Sequence, residues 1–204
     1  MSQEVAFVGD IHGSLASLRG LNDTLAARNV RHTVFLGDYI NKGEESAEVI
    51  QELLEYRQAG RATLLRGNHE AALLDALETG DLAPFLKMGG AMTIRSYVGT
   101  RVGPDVLSEF RERLPTEHLD GIRHMRDTYE SADVIAQHGP QGASTKKFRI
   151  TAHRPVGVLP RIGRHSAQLD TGGGAGAGRL TALLWPSRDY VQVDMSGAMV
   201  STEP

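Results

Sequence analysis

No cysteine occurs in the 204-residue sequence, which excludes disulfides, thiolate nucleophiles, cysteine-type zinc fingers and iron–sulfur ligation together. No stretch approaches the roughly 18 consecutive apolar residues of a membrane span. Met1 is not followed by a basic segment and a long apolar core, so a cytoplasmic protein without membrane attachment is expected. Charge of neither sign dominates: 22 basic and 25 acidic side chains give a net charge of -3, which provides no electrostatic footprint for nucleic acid or an anionic membrane. Aromatics are sparse, and Trp185, the single tryptophan, closes an apolar run and reads as core. What the chain has is ordinary soluble composition, 40% hydrophobic and 23% charged, together with eight histidines. Its length suits one domain, expected over residues 1–195, with 196–204 as a flexible tail.

The first third repeats one pattern three times: a short β-rich run, a turn dense in Gly, Asp, Asn or His, then a helical stretch. Val5 to Val8 leads into Gly9-Asp10-Ile11-His12-Gly13. The run at 33–36 leads into Gly37-Asp38-Tyr39-Ile40-Asn41-Lys42-Gly43, and the run at 62–65 into Arg66-Gly67-Asn68-His69-Glu70. Repeated strand–turn–helix units predict an α/β architecture. Residues 81–97 and 104–125 read as shorter helices. From Asp133 the pattern turns to strands, at 133–136, 147–152, 180–185 and 190–193.

Open α/β sheets place their ligand crevice at the C-terminal ends of strands, so Asp10, His12, Asp38, Asn68 and His69 are expected to converge. Taken singly, each has a bland explanation, since Gly-Asp and Gly-Asn are turn dipeptides. Turn chemistry does not explain why every turn also carries an oxygen or nitrogen donor directly after a strand. Carboxylate, imidazole and amide oxygen together suit Mn, Fe(II) or Zn better than Ca.

These three blocks resemble the signature blocks of the calcineurin-like metallophosphoesterases, and within them the bacterial PPP-type serine/threonine phosphatases. Gln137-His138-Gly139, the 151–156 block around His153, and Leu169-Asp170-Thr171-Gly172 with the 180–183 strand extend the resemblance in family order. The resemblance implies a sandwich of two mixed β-sheets flanked by helices (αββα). It implies two divalent metals, manganese first with iron or zinc as alternatives, that activate water for in-line attack on phosphorus. Asp10, His12 and Asp38 would hold the first metal, with Asp38 shared; Asn68, His138 and His153 would complete the second. His69 would protonate the leaving group and Asn41 would orient it. Arg66, Lys42 and Asn68 would contact the phosphate. The substrate would be a phosphorylated protein or a small phosphate ester, without nucleic acid or membrane partners.

Two departures stand out. The second block carries Asn41-Lys42 where the family has Asp-Arg, so the orienting residue brings no charge and the cation is a point charge without a planar fork. Only 15 residues separate His138 from His153, which shortens an insertion that carries a further arginine in PPP enzymes. Arg149 and Lys146 are weak stand-ins that read better as a solvated strand face. Rival readings are a small-molecule phosphatase or dinucleoside polyphosphate hydrolase of the same superfamily, and a metal-binding regulatory module with impaired turnover. His32, His118, His124 and His165 are expected to be structural. The Gly-rich run at 172–178 is expected to be a flexible loop, and Arg111, Glu112 and Arg113 mark a solvated helix face.

Overall fold

The computed structural model describes residues 4–139, 146–174 and 176–201. β1 (Val5–Val8), β2 (His32–Phe35) and β3 (Ala62–Leu64) lie parallel. Their crossovers are α1 (Leu15–Ala27) and α2 (Ser46–Gln58). Leu18, Leu21 and Leu25 of α1, and Val49, Ile50 and Leu53 of α2, are buried. That spacing places each set on one helical face, which the sheet then covers. α3 (Asn68–Thr79) follows β3 and ends on Gly80 at φ +81°, a left-handed cap that a residue without Cβ adopts freely. The helical middle resolves into α4 (Ala83–Lys87), α5 (Gly90–Val98), α6 (Val106–Arg113) and α7 (Thr116–Arg123).

The C-terminal part contributes β4 (Thr128–Glu130), β5 (Val134–Gln137), β6 (Phe148–Thr151), β7 (Arg161–Ile162), β8 (Ser166–Gln168), β9 (Leu180–Trp185) and β10 (Tyr190–Val193). Two five-stranded mixed sheets result, ordered β10-β9-β1-β2-β3 and β4-β5-β6-β8-β7. This is the expected α/β sandwich. Strand alternation divides the core in two. Ala6, Val8, Phe35, Ala182 and Leu184 join the helices in one apolar cluster. Phe7, Val34 and Leu183 point the other way, into a second cluster with Val134, Ala136, Ile150 and Ala167 of the opposite sheet. Trp185 borders that second cluster, its ring 5.0 Å from Phe148.

Beyond β10 the chain makes a hydrogen-bonded turn over 194–200. Asp194 Oδ1 accepts the N–H groups of Ser196 at 2.8 Å and Ala198 at 3.1 Å. The Val200 N–H then returns to the Gln192 carbonyl at 2.9 Å. Residues 202–204 lie outside the described residues. Among the described residues, no helix is long and apolar enough to cross a membrane.

Candidate metal centre

The loops after β1, β2, β3, β5 and β6 meet at one edge of the sandwich, and their backbones interlock. Ile11 and His12 both donate their N–H to the Asp38 carbonyl, at 3.0 and 2.9 Å, and Gly13 donates to Tyr39 at 2.7 Å. Ala152 donates to the His138 carbonyl at 2.9 Å, and the His153 N–H reaches Asp10 Oδ1 at 3.3 Å. Of the seven non-glycine residues with positive φ among the described residues, five are His12, Asp38, Asn41, Lys42 and His153. Backbone strain of this kind persists only where surrounding contacts over-determine it, and it concentrates at functional sites.

Glu70 supplies much of that constraint, and the sequence reading gave it no role. Its buried carboxylate accepts N–H from Asp38 at 2.9 Å and Tyr39 at 2.8 Å, and from Gly67 at 2.9 Å. Burial and the nearby Asp38 charge raise its carboxyl to about 7, against the pull of those N–H groups. A signal did exist, because Gly67-x-x-Glu70 has capping-box spacing. Thr93 of α5 had none: its hydroxyl donates to Asn41 Oδ1 at 2.7 Å from 52 positions away in sequence.

Around these loops the predicted side chains converge. His12, Asp38 and His69 form one group of metal-competent atoms, and Asp38, His138 and His153 form another, each with all ligand atoms within 4.8 Å of one another. Asp38 belongs to both. Asp10 stands beside the first group, its Oδ2 3.7 Å from His12 Nε2. Asn68 Oδ1 lies 2.9 Å from His138 Nε2 and 2.7 Å from His153 Nδ1. Asn41 is fully buried, and its Nδ2 is 2.6 Å from His69 Nδ1.

The hydrogen bonds sort the histidines by tautomer. The Nδ1–H of His12 donates to the Ile40 carbonyl at 3.0 Å, and that of His138 to the Leu36 carbonyl at 3.1 Å. In its neutral form each ring therefore offers an Nε2 lone pair to a metal, with the backbone fixing ring orientation. His69 is the reverse: its Nδ1 accepts from the Asn41 amide, so the neutral ring carries its proton on Nε2, 3.6 Å from Asp38 Oδ2.

The charge balance fits divalent cations. Asp10, Asp38 and Asp170 are buried, and the ion pairs of Asp10 and Asp38 among the described residues are with imidazoles alone. Burial and the Asp38 charge raise Asp10 well above the usual carboxylate range. Burial also pushes Asp38 upward, but His138, His69 and His12 outweigh it and hold the group at about 2. Burial disfavours a proton on His138, yet Asp38 raises it to about 9. That Nε2 thus faces two oxygen acceptors and demands a positive charge between them, which a metal ion meets directly. The donor set of nitrogen and oxygen atoms, without sulfur, suits Mn, Fe or Zn.

The remaining candidates fall as follows. Arg66 lines a hollow of about 480 Å³ with Asn68, His138 and His153, held through Nη2 by Asp127 at 3.2 Å and the Met125 carbonyl at 3.3 Å. Lys42 Nζ contacts His12 Nε2 at 2.7 Å. Lys146 and His165 line a separate hollow with Trp185 and Arg188, and the Arg149 N–H pairs with the His165 carbonyl, so this group lies at the opposite end of β6. His118 is structural as expected, bridging Tyr97 and Gln51. The Gly-rich run is only partly a free loop. A Cβ on Gly173 would lie 2.1 Å from the Asp10 carbonyl oxygen, and one on Gly174 2.2 Å from His12 Cβ. These two glycines press on the β1 loop; Ala175 lies outside the described residues.

The chain belongs to the calcineurin-like phosphoesterases, whose family model matches residues 4–173. The two His/Asp groups that share Asp38 are consistent with the metal site typical of that family. The catalytic subunit of serine/threonine-protein phosphatase 6 from Drosophila melanogaster is 42% identical over 74 residues, a stretch covering 34% of this chain and 24% of that relative. The chain thus matches about a quarter of that relative's length. Among solved structures, a protein provisionally described as a diadenosine tetraphosphatase aligns with TM-score 0.67 at 19% identity, covering 95% of this chain and 94% of its own. The cold-active protein-tyrosine phosphatase of a psychrophilic Shewanella aligns with TM-score 0.61 at 15% identity, covering 100% and 81%. At these identities the structural likenesses establish the fold.

Proposed function

We propose that this chain is a phosphomonoester hydrolase with phosphoserine and phosphothreonine esters as its first substrate class. The observation that carries the reading is the opposed hydrogen bonding of the histidines: Nδ1 of His12 and of His138 donates to a backbone carbonyl, which leaves Nε2 for a metal, whereas Nδ1 of His69 accepts from the Asn41 amide. The matched stretch of the phosphatase 6 subunit supports the substrate class. Asp10, His12 and Asp38 would hold one cation, and Asp38, Asn68, His138 and His153 the other. Divalent cations there neutralise phosphate oxygens and acidify water.

The chain's own groups supply the rest. Arg66, at the rim of the hollow, attracts and orients the phosphate. His69 would act from its imidazolium form, giving its Nε2 proton to the leaving oxygen and returning to the neutral ring. Asn41 positions that ring, and Thr93 fixes the Asn41 amide in turn. Because Asn41 adds no negative charge, the imidazolium form of His69 lacks the support a carboxylate would give. That favours leaving groups needing little protonation, so activated esters or phosphoanhydrides form the second reading.

Initial rates on an aryl phosphate, a phosphothreonine peptide, a bis-aryl phosphate and a dinucleoside tetraphosphate, with manganese and after chelation, test this. Manganese-dependent turnover of both monoesters, exceeding the diester at least about tenfold, is expected. A diester preference, or equal rates after chelation, overturns the reading.

A further inference from the structure

Lys42 does not behave as a free phosphate contact. Its ammonium donates to His12 Nε2 at 2.7 Å, the same lone pair that the Ile40 contact reserves for a metal. The backbone aims it there. Lys42 has φ +61° and follows Asn41 at +71°. The Gly43 N–H pins this turn by reaching the carbonyls of His12 at 3.0 Å and Asn41 at 2.7 Å. The Asn41 N–H is held by Thr93 Oγ1 at 2.8 Å. Among the described residues, no carboxylate oxygen lies within ion-pair distance of Lys42 Nζ, so this ammonium has not been drawn in by a direct salt bridge.

One imidazole lone pair serves one partner. An ammonium and a metal ion at His12 Nε2 exclude each other, and a dication arriving beside a retained ammonium meets repulsion between like charges. Among the described residues, no hydrogen bond joins a lysine to Asn68, His138 or His153. We propose that Lys42 is a built-in competitor cation. The metal position at His12 and Asp38 fills only when Lys42 withdraws into solvent, whereas the position at Asp38, Asn68, His138 and His153 fills first. Lys42 is exposed along its side chain, so withdrawal needs only rotation of a flexible stem. The protein at low metal therefore carries one ion and one ammonium, and the second ion is the labile one. This rests on the metal assignment given above.

Calorimetric titration of the chelated 204-residue chain with manganese chloride, together with manganese counted per chain after gel filtration, tests the proposal. The wild-type protein is expected to show two unequal steps and to retain about one ion. Lys42→Met should tighten the weaker step by about tenfold or more, the scale set by removing one nearby like charge. It should leave the tighter step within about twofold and retain two ions. Lys42→Arg, which keeps a cation, should keep the weaker step within about threefold of wild type.

Equal affinities in the wild type, an unchanged weak step in Lys42→Met, equal tightening of both steps, or an Arg variant that matches the Met variant each overturns the proposal while leaving the metal assignment intact. Absence of manganese binding in every protein overturns both. Circular dichroism of each variant confirms that the exposed substitution leaves the fold unchanged.

Discussion

The carboxylate of Glu70 accepts the backbone N–H of Asp38 at 2.9 Å, so the residue shared by both metal-competent groups is positioned through its main chain by a side chain from the first turn of α3. The same carboxylate holds Tyr39 and Gly67, tying the β2 loop to the start of α3. Asp38 completes the link by accepting the His69 N–H at 3.1 Å. Glu70→Ala leaves these buried N–H groups without partners. Each such loss costs about 1–3 kcal/mol, so the unfolding free energy is expected to fall by about 2–4 kcal/mol. Chemical denaturation of the metal-free protein measures it. An unchanged midpoint would show that the loop holds without the clamp.

His69→Gln is expected to leave manganese content near wild type and to lower turnover of an alkyl phosphate by about 10²- to 10⁴-fold, the usual worth of a placed general acid. Aryl phosphate turnover should fall less, because its leaving group needs less protonation. Asn41→Asp acts on the same ring in the opposite sense. A carboxylate accepts the Nδ1 proton and supports the imidazolium, so the alkyl-to-aryl rate ratio should rise by at least about threefold. Equal losses on both substrates for His69→Gln would assign the ring to structure or ligation.

Chelation should lower the melting temperature, because among the described residues the ion pairs of buried Asp10 and Asp38 are then with imidazoles alone. Manganese at about 100 times its dissociation constant restores about 2.7 kcal/mol, which for a domain of this size is roughly 5–11 °C. Asp38→Asn removes the residue common to both groups and should abolish that shift. Differential scanning calorimetry with and without metal decides the matter.

His118 predicts a pH dependence away from the metal centre. Its neutral ring donates Nε2–H to Gln51 Oε1 at 2.8 Å and accepts at Nδ1 from the Tyr97 hydroxyl at 2.9 Å. Burial lowers its pKa below the usual histidine value. The unfolded chain, titrating near pH 6.5, then binds the proton that the folded chain refuses, so this contribution is complete above that pH and is lost as pH falls through 6.5 toward the folded value. His118→Gln should flatten the decline in unfolding free energy between about pH 7 and pH 5 relative to wild type at matched metal content. Parallel curves would exclude the assignment.

Gly174 has φ +76° and leaves no room for a Cβ against His12. Gly174→Ala should therefore destabilise the protein by about 1–3 kcal/mol and weaken manganese binding, whereas Gly176→Ala, whose Cβ meets nothing within 4 Å, should leave manganese binding unchanged. Matched denaturation and metal titrations compare them.

The parts of this architecture that were legible in the sequence share one property: their signal is local. Asp10, His12, Asp38, Asn68 and His69 each follow a short strand directly, so strand-to-turn order placed them at one sheet edge. The convergence of His138 and His153 was legible through family resemblance, since no local pattern marks the end of β6 as facing β1. What escaped was set by distant partners. Thr93 reaches Asn41 across 52 positions, and the direction of the Lys42 side chain follows from two consecutive positive φ values that no propensity scale foresees. The short strands β4 and β8 gain their register from pairing with β5 and β6, and β7 from pairing with β8. The turn at 194–200 is likewise held by Asp194 and by the return to Gln192, contacts invisible in a run of small polar residues.

The insertion of β9 between β10 and β1 has a consequence for the order in which this molecule can be born on a ribosome. Val5 pairs with Trp185 and Val8 with Ala182, while the glycines just upstream of β9 press on the loop bearing Asp10 and His12. β1 thus gains this partner only once β9, far along the chain, has been made. Until β9 has left the exit tunnel, β1 is an unsheltered edge and the His12 loop has no backing. The loop bearing Asp10 and His12 therefore gains its backing only late in synthesis, and a chain stalled before residue 180 would carry those residues without that backing.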